Sequence, residues 1–485
     1  MPILIMHTDV CFPVPTGREV PAKTNSARSE MFEYMDSNPW GSAEEMARNA
    51  FELYEEGKHA LALQQLEQAL DINPENASWF FNAGLTLDAM NRFKSAIAAY
   101  EQALELNPED LETLNCLAVD YTRLGQYDLA LATFQRIEQI DASFEPCYCN
   151  RIITYTEMDQ HDLAEQMFYI AQQLDPDCAI CFYNIGNSLF SRQEYKKAIW
   201  CWEKTAELEP THPQINYRIA QAYWASSNKH LARVHFLQEL RMNPGDVDVI
   251  LEFGLFLLEN GDLDAAKEKF NRILEINPQS ARAIFYLGEI ASKQEDMTNA
   301  TRMFRRAMKI NPRVPGPRYR LAKIALARGD TDRAANLLLA ELDLEIEEPH
   351  VLMAMGAMLL QMGRPSDATD CYLKVVDMDD KNGEAFYQLG LALAVKGDHE
   401  GSTHFFEYAI KLGNENANLY ADAAFCCVKC DQIGRAAQFI HKARELDKDC
   451  ARIKKLHRAI KCIRTTQNLQ KSFSSVLNKF ALVKG

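Results

Sequence analysis

Residues 182–210 read FYNIGNSLFSRQEYKKAIWCWEKTAELEP, and Gly186, Ala198 and Pro210 punctuate them at intervals of twelve. Stepping outward by 34 positions from each finds the same kind of residue again. From Gly186 the step meets Ala50, Gly84, Ala118, Ile152, Ala220, Gly254, Gly288, Ala322, Gly356, Gly390 and Ala424, of which only Ile152 is large. From Ala198 it meets alanine at 62, 96, 130, 164, 232, 266, 300, 334, 368 and 436, with Ser402 as the exception. From Trp202 it meets large residues, among them Tyr100, Phe134, Phe168, Phe236, Phe270, Phe304, Tyr372 and Phe406. Prolines at 74, 108, 176, 244, 278 and 312 keep step with Pro210. The register is unbroken from Ala43 to Cys450, twelve units of 34 residues.

Each ladder has a mechanical reason. Phe182, Ile185, Gly186 and Leu189, then Ala198, Ile199 and Trp202, recur at helical spacing. They form the inner faces of two helices, near 180–192 and 195–208. A large side chain where the helices cross would hold the backbones apart, so Gly or Ala is expected there, and overpacking that point costs roughly 1–3 kcal/mol. The ring four residues after the alanine fills the space beside the close approach. Pro210 and its counterparts cannot continue the second helix and turn the chain into the next pair.

This pattern resembles the tetratricopeptide repeat (TPR), a helix-turn-helix unit of 34 residues. The resemblance implies an all-α fold: a right-handed TPR superhelix, or α-solenoid, of antiparallel helix pairs whose first helices line a concave groove. One unit cannot bury its apolar face alone, so neighbours supply the missing surface.

Outside the units, residues 1–42 are rich in proline and small polar residues and read as a disordered arm, with Phe32, Met35 and Trp40 as candidates to cap the first unit. Ile453, Leu456, Ile460 and Ile463 predict a capping helix over 451–464. A basic amphipathic tail, 465–485, follows with Leu469, Phe473, Val476, Leu477 and Phe480 on one face. From Ala451 onward there are nine Lys or Arg and no acid, which leaves −25 on the rest of a chain whose total is −16. A cap docked on an acidic array accounts for this split; contact with an anionic membrane surface or a partner through the basic helix is the lesser alternative. Around 315–350, Pro315, Gly316 and Pro317 and the displaced Pro349 loosen the consensus and read as a bend or as a division into a long N-terminal block and a shorter C-terminal one.

The net charge of −16 argues against nucleic-acid binding, which needs clustered cations. No apolar run reaches the roughly 18 residues of a membrane span. Thirteen scattered cysteines read as reduced thiols, which points to the cytoplasm. Cys147, Cys149, Cys178 and Cys181 offer C-x-C and C-x-x-C pairs, superficially a zinc site. Yet Cys147 and Cys149 lie about 200° apart around a helix. Cys147 and Cys181 also occupy equivalent slots, a packing distance of about 8–10 Å apart. Buried small hydrophobes and no metal are expected, and Cys426, Cys427 and Cys430 read the same way. No phosphate loop, His-Glu helix pair or nucleophile elbow is present, so neither a catalytic residue nor a cofactor is expected.

Function is therefore sought in the groove. The slot two residues before the small crossing residue holds Asn82, Asn150 and Asn184 and reads as a solvent-facing edge of the first helix. In peptide-binding relatives an asparagine here bonds the ligand backbone, and the resemblance implies that role for these three. Tyr183, Asn187, Tyr217, Arg218, Gln221 and Trp224 are expected on the same stretch of groove, with Arg320 and Lys323 adding charge further on. Aromatic anchors beside an arginine fork are the ingredients of an interaction hot spot. The carboxylate clamp of co-chaperone TPR domains is matched at two slots of five, Asn184 and Arg218, with Cys149, Ile153 and Gln214 at the others. The reading is a non-catalytic scaffold that binds an extended protein or peptide segment. The alternatives are a chaperone for secretion substrates and a membrane-associated assembly factor using the basic C-terminal helix.

Overall fold

A computed structural model describes residues 39–344, 346 and 348–481. Most of the expected N-terminal arm lies outside these residues, and 39–42 belong to the first helix, Pro39–Glu55. The described residues contain 25 helices and no strand. All but the last form successive pairs, of which Ala179–Ser191 and Tyr195–Leu208 are typical. The described residues divide into two compact units, the first ending at Phe256 and the second beginning at Leu257.

Local chemistry sets the helix ends at the same place in each repeat. Asn76, Asp110, Ser280 and Asn382, all in step with one another, accept a hydrogen bond from the backbone N–H three residues on. This satisfies a donor that the first turn leaves unpaired. Between the two helices of a pair, one residue takes a left-handed conformation. These residues form a further ladder of step 34: Gly57, Asn91, Gly125, Asp159, Gln193, Ser227, Gly261, Glu295, Gly329, Gly363, Gly397 and Asp431. It is inconspicuous in the sequence because only half of its members are glycine.

The small crossing residues have a more specific cause than backbone contact. A Cβ at Gly186 would lie 2.5 Å from Trp202 Nε1, and one at Gly356 would lie 2.7 Å from the Tyr372 ring. The ring sixteen residues on occupies the space of the missing side chain. Gly84, Gly288 and Gly390 are covered in the same way by Tyr100, Phe304 and Phe406. At Ile152, where the slot is filled, Phe168 instead meets Phe182 edge-on at 5.4 Å. The alanine ladder lies against the same crossing: Ser402 Oγ donates to the Gly390 carbonyl at 2.7 Å.

In the second unit, Gly316 at φ +103° opens the short helix Pro317–Ala327. Its N–H donates to Glu341, a carboxylate with no exposed surface, and Arg318 stands 3.8 Å from the same group. At the C-terminus, the expected cap and tail are one continuous helix, Ala451–Ala481. No Gly or Pro interrupts residues 451–484, and Thr465 and Thr466 bond back to the carbonyls of Lys461 and Cys462 without stopping it. Ile453 and Ile460 are buried against the last pair, and Arg452 pairs with Asp422. The expected apolar face of the tail lies outside the residues whose side chains are described.

Candidate functional site

The first helices of residues 77–225 carry a polar seam. Asn150 is 1% exposed and its Nδ2 donates to Asn115 Oδ1 at 3.1 Å. Asn184 is likewise 1% exposed and donates to the Cys149 carbonyl at 3.1 Å. Thr122 and Thr154 share a hydroxyl–hydroxyl bond of 2.8 Å. Nearer the N-terminus, Arg123 is clasped between Asp88 and Asp120, all three side chains buried. Burial, then the neighbouring Asp88, pushes the Asp120 carboxyl up to about 8, against the pull of Arg123.

This overturns one expectation. The slot of Asn150 and Asn184 is not a solvent-facing edge, because successive first helices pack closely enough to turn each amide onto the helix before it. Asn82 and Asn187 are half-buried. Tyr183, expected on the groove surface, is 2% exposed: its ring lies 4.6 Å from that of His212. Tyr217 is buried too, with its N–H donating to Glu239 at 3.3 Å. Trp224 is half-buried, edge-on to Phe256 at 5.6 Å.

The buried phenols position what remains accessible. Arg218 Nε donates to the Tyr183 hydroxyl at 3.1 Å, and Gln221 Nε2 donates to that of Tyr217 at 2.7 Å. Arg218 and Gln221 are both half-buried and lie on one helix, Ile215–Ala225. At spacing i, i+3 they occupy one face. In the second unit, Arg320 pairs with Glu289 at 2.5 Å and lies over the Tyr319 ring, which Lys323 also approaches. Sequence reasoning missed Asn115, Asp88, Asp120 and Arg123, none of which falls in the slot followed along the chain. The cysteine expectation is also corrected. Cys147 turns away to the Phe134 carbonyl at 3.5 Å, whereas Cys149 and Cys181 are joined as a disulfide.

The repeats place the chain among known proteins. Tetratricopeptide-repeat models match residues 81–143, 251–315 and 353–417, and another matches 291–358. A model of YpiA-like C-terminal tetratricopeptide repeats matches 213–280. Together they cover more than half of the chain, which belongs to the tetratricopeptide-repeat superfamily. No curated protein matches the sequence. Among solved structures, the chain is similar to yeast Tom70, at 15% identity and a TM-score of 0.46, over 83% of this chain and 99% of that one. It is also similar to a TPR protein from Parabacteroides merdae, at 17% identity and a TM-score of 0.40, over 49% and 93%. A thermophilic TPR protein from Thermus thermophilus matches at 22% identity and a TM-score of 0.36, over 38% and 100%. The fold is that of a protein-interaction scaffold. Among the described residues no helix is long and apolar enough to cross a membrane.

Proposed function

We propose that the chain is a non-catalytic scaffold that holds an extended peptide segment against the first helices of residues 179–225. The observation that supports this is the bracing of Arg218 and Gln221 by buried tyrosine hydroxyls. A polar side chain already held in position loses less conformational freedom when a ligand arrives, and that saving appears as affinity. Arg218 supplies a planar donor fork and Gln221 a donor and an acceptor, which suits the carbonyls and N–H groups of an extended backbone. Asn187 lies on the preceding first helix and extends the row. Tyr183, Asn184 and Tyr217 act beneath it as supports rather than contacts.

Selection of peptides from a random-sequence display library on the full chain tests this reading. Enriched peptides are expected to lose at least ~10-fold in affinity on Arg218→Ala combined with Gln221→Ala, which is about 1.4 kcal/mol, with far-UV circular dichroism unchanged. Equal affinity of the variant, or no enrichment at all, contradicts it.

A further inference from the structure

Four ligand atoms converge where the fourth repeat meets the fifth. Glu145 and Cys149 stand one turn apart on the helix Glu145–Glu157, and Cys178 and Cys181 stand at the start of Ala179–Ser191. One ligand atom from each of the four lies within 4.8 Å of all the others. Cys149 Sγ is 3.5 Å from Cys178 Sγ and 3.2 Å from Glu145 Oε1, and Cys181 Sγ is 2.9 Å from that same oxygen. Around one metal with bonds of about 2.0–2.3 Å, tetrahedral ligands sit roughly 3.3–3.8 Å apart; the Cys149–Cys178 spacing meets this, the two carboxylate–sulfur spacings are shorter, and the bonded Cys149 and Cys181 sulfurs have to part to reach it.

Local structure shapes each half of the cluster. Cys178 occupies the slot that Asn76, Asp110 and Ser280 fill elsewhere, and its sulfur accepts the Cys181 N–H at 3.3 Å. Cys149 and Cys181 are buried, while Cys178 and Glu145 are half-buried and leave the site open to solvent on one side. The Cys149–Cys181 disulfide does not account for the whole cluster. Neither bonded sulfur carries a proton, so the Glu145 carboxylate, which Cys178 also bonds, stands 2.9 and 3.2 Å from two sulfurs that donate nothing to it. A cation at the centre would engage all four groups at once.

We propose that, in its reduced form, this cluster is a structural zinc site with three thiolate ligands, Cys149, Cys178 and Cys181, and one carboxylate ligand, Glu145. Three sulfurs and one oxygen in a closed four-ligand set suit Zn²⁺ better than the hard cations, which prefer all-oxygen shells. A dithiol opens the disulfide, giving two electrons and two protons and leaving as its own disulfide. The three thiols then release three protons to solvent as the metal binds. The ion would pin the first turns of two successive first helices together, beside the Asn184 bond to the Cys149 carbonyl. The inference stands on this cluster alone and does not depend on peptide binding.

The full chain, reduced and stripped with a chelator, is titrated with Zn²⁺ and separately with Co²⁺. One equivalent should bind, with the charge-transfer and visible bands of tetrahedral cobalt thiolate. Binding should raise the melting temperature, as any ligand selective for the folded state does. Cys178→Ser should weaken zinc by more than the roughly 10–100-fold that loss of an outer hydrogen-bond partner costs, and Glu145→Gln should weaken it as well. Cys147→Ser should bind like the parent chain. Circular dichroism confirms that each variant folds. No zinc uptake by the reduced parent, full affinity in Cys178→Ser, or loss of binding in Cys147→Ser each overturns the assignment.

Discussion

The first helices of residues 77–225 and those of residues 317–396 share one repeat but bury different chemistry. In the former, Asp88, Asn115, Asp120, Asn150 and Asn184 lie at or below 3% exposure. In the latter, Leu352, Met355, Leu359, Leu389 and Ala392 fill the interior with no exposed surface. The ladders that close each pair are alike in both: Trp202 covers Gly186 much as Tyr372 covers Gly356. The small-and-ring frame is therefore a requirement of the fold, while the slots between its rungs are free to carry polar groups. A buried polar group costs free energy unless it is bonded, and Asn150 and Asn184 each leave Oδ1 without a hydrogen-bond partner among the described residues. The Asn184 share of that cost falls in the stretch proposed for partner binding, and the Asn150 share in the repeat before it.

The largest effects should be equal in the two regions. Trp202→Ala and Tyr372→Ala each remove a ring at most 1% exposed, and about 3–5 kcal/mol of stability should go with it. Urea unfolding measures both, and a near-neutral result at either position would break the shared-frame half of the comparison.

The seam should separate the regions. Asn150→Ala withdraws the donor that Asn115 Oδ1 accepts and should cost about 1–3 kcal/mol. Met355→Leu, a volume-conserving change in the apolar region, should cost less than ~1.5 kcal/mol. If the two costs were reversed, the polar seam would carry no structural weight.

The smallest effect is one of slope. Asp120 is held near 8 in the folded protein, above the ordinary carboxylate range. Between roughly pH 4, its unfolded value, and pH 8, the native state thus binds more protons than the unfolded one. By linkage, this group makes stability fall as pH rises through that window. Asp120→Asn should flatten the fall, leaving Asp88 to pair with Arg123. Unfolding midpoints at pH 5 and pH 9 for parent and variant read it directly, and parallel profiles would contradict the assignment.

Nearly all of the fold was legible in the sequence, because ladder residues are set by contacts that recur in every repeat. The turn ladder was less visible, since Gln193 and Glu295 tolerate a left-handed backbone without announcing it. Continuity past residue 464 was legible in the lack of a breaker, although the change in hydrophobic pattern suggested two segments. The site was only half legible. Slot position identified Asn150 and Asn184, but their burial depends on how closely neighbouring first helices approach, which no single slot encodes. Three members of the cysteine cluster, Cys149, Cys178 and Cys181, stand out in the sequence, but pairing them with Cys147 argues against convergence, whereas the fourth member is Glu145, at helical spacing i, i+4 from Cys149. An E-x-x-x-C followed by a C-x-x-C at the next helix start is the signal that would have found it.

The close fit of glycine to ring underlies the whole array, and a double-mutant cycle at 186 and 202 tests it most directly. Gly186→Ala alone should cost about 1–3 kcal/mol, because the new methyl meets the Trp202 indole. In a Trp202→Leu background most of that cost should vanish, giving a coupling energy on the order of 1 kcal/mol or more. Simple additivity of the two changes would contradict the account.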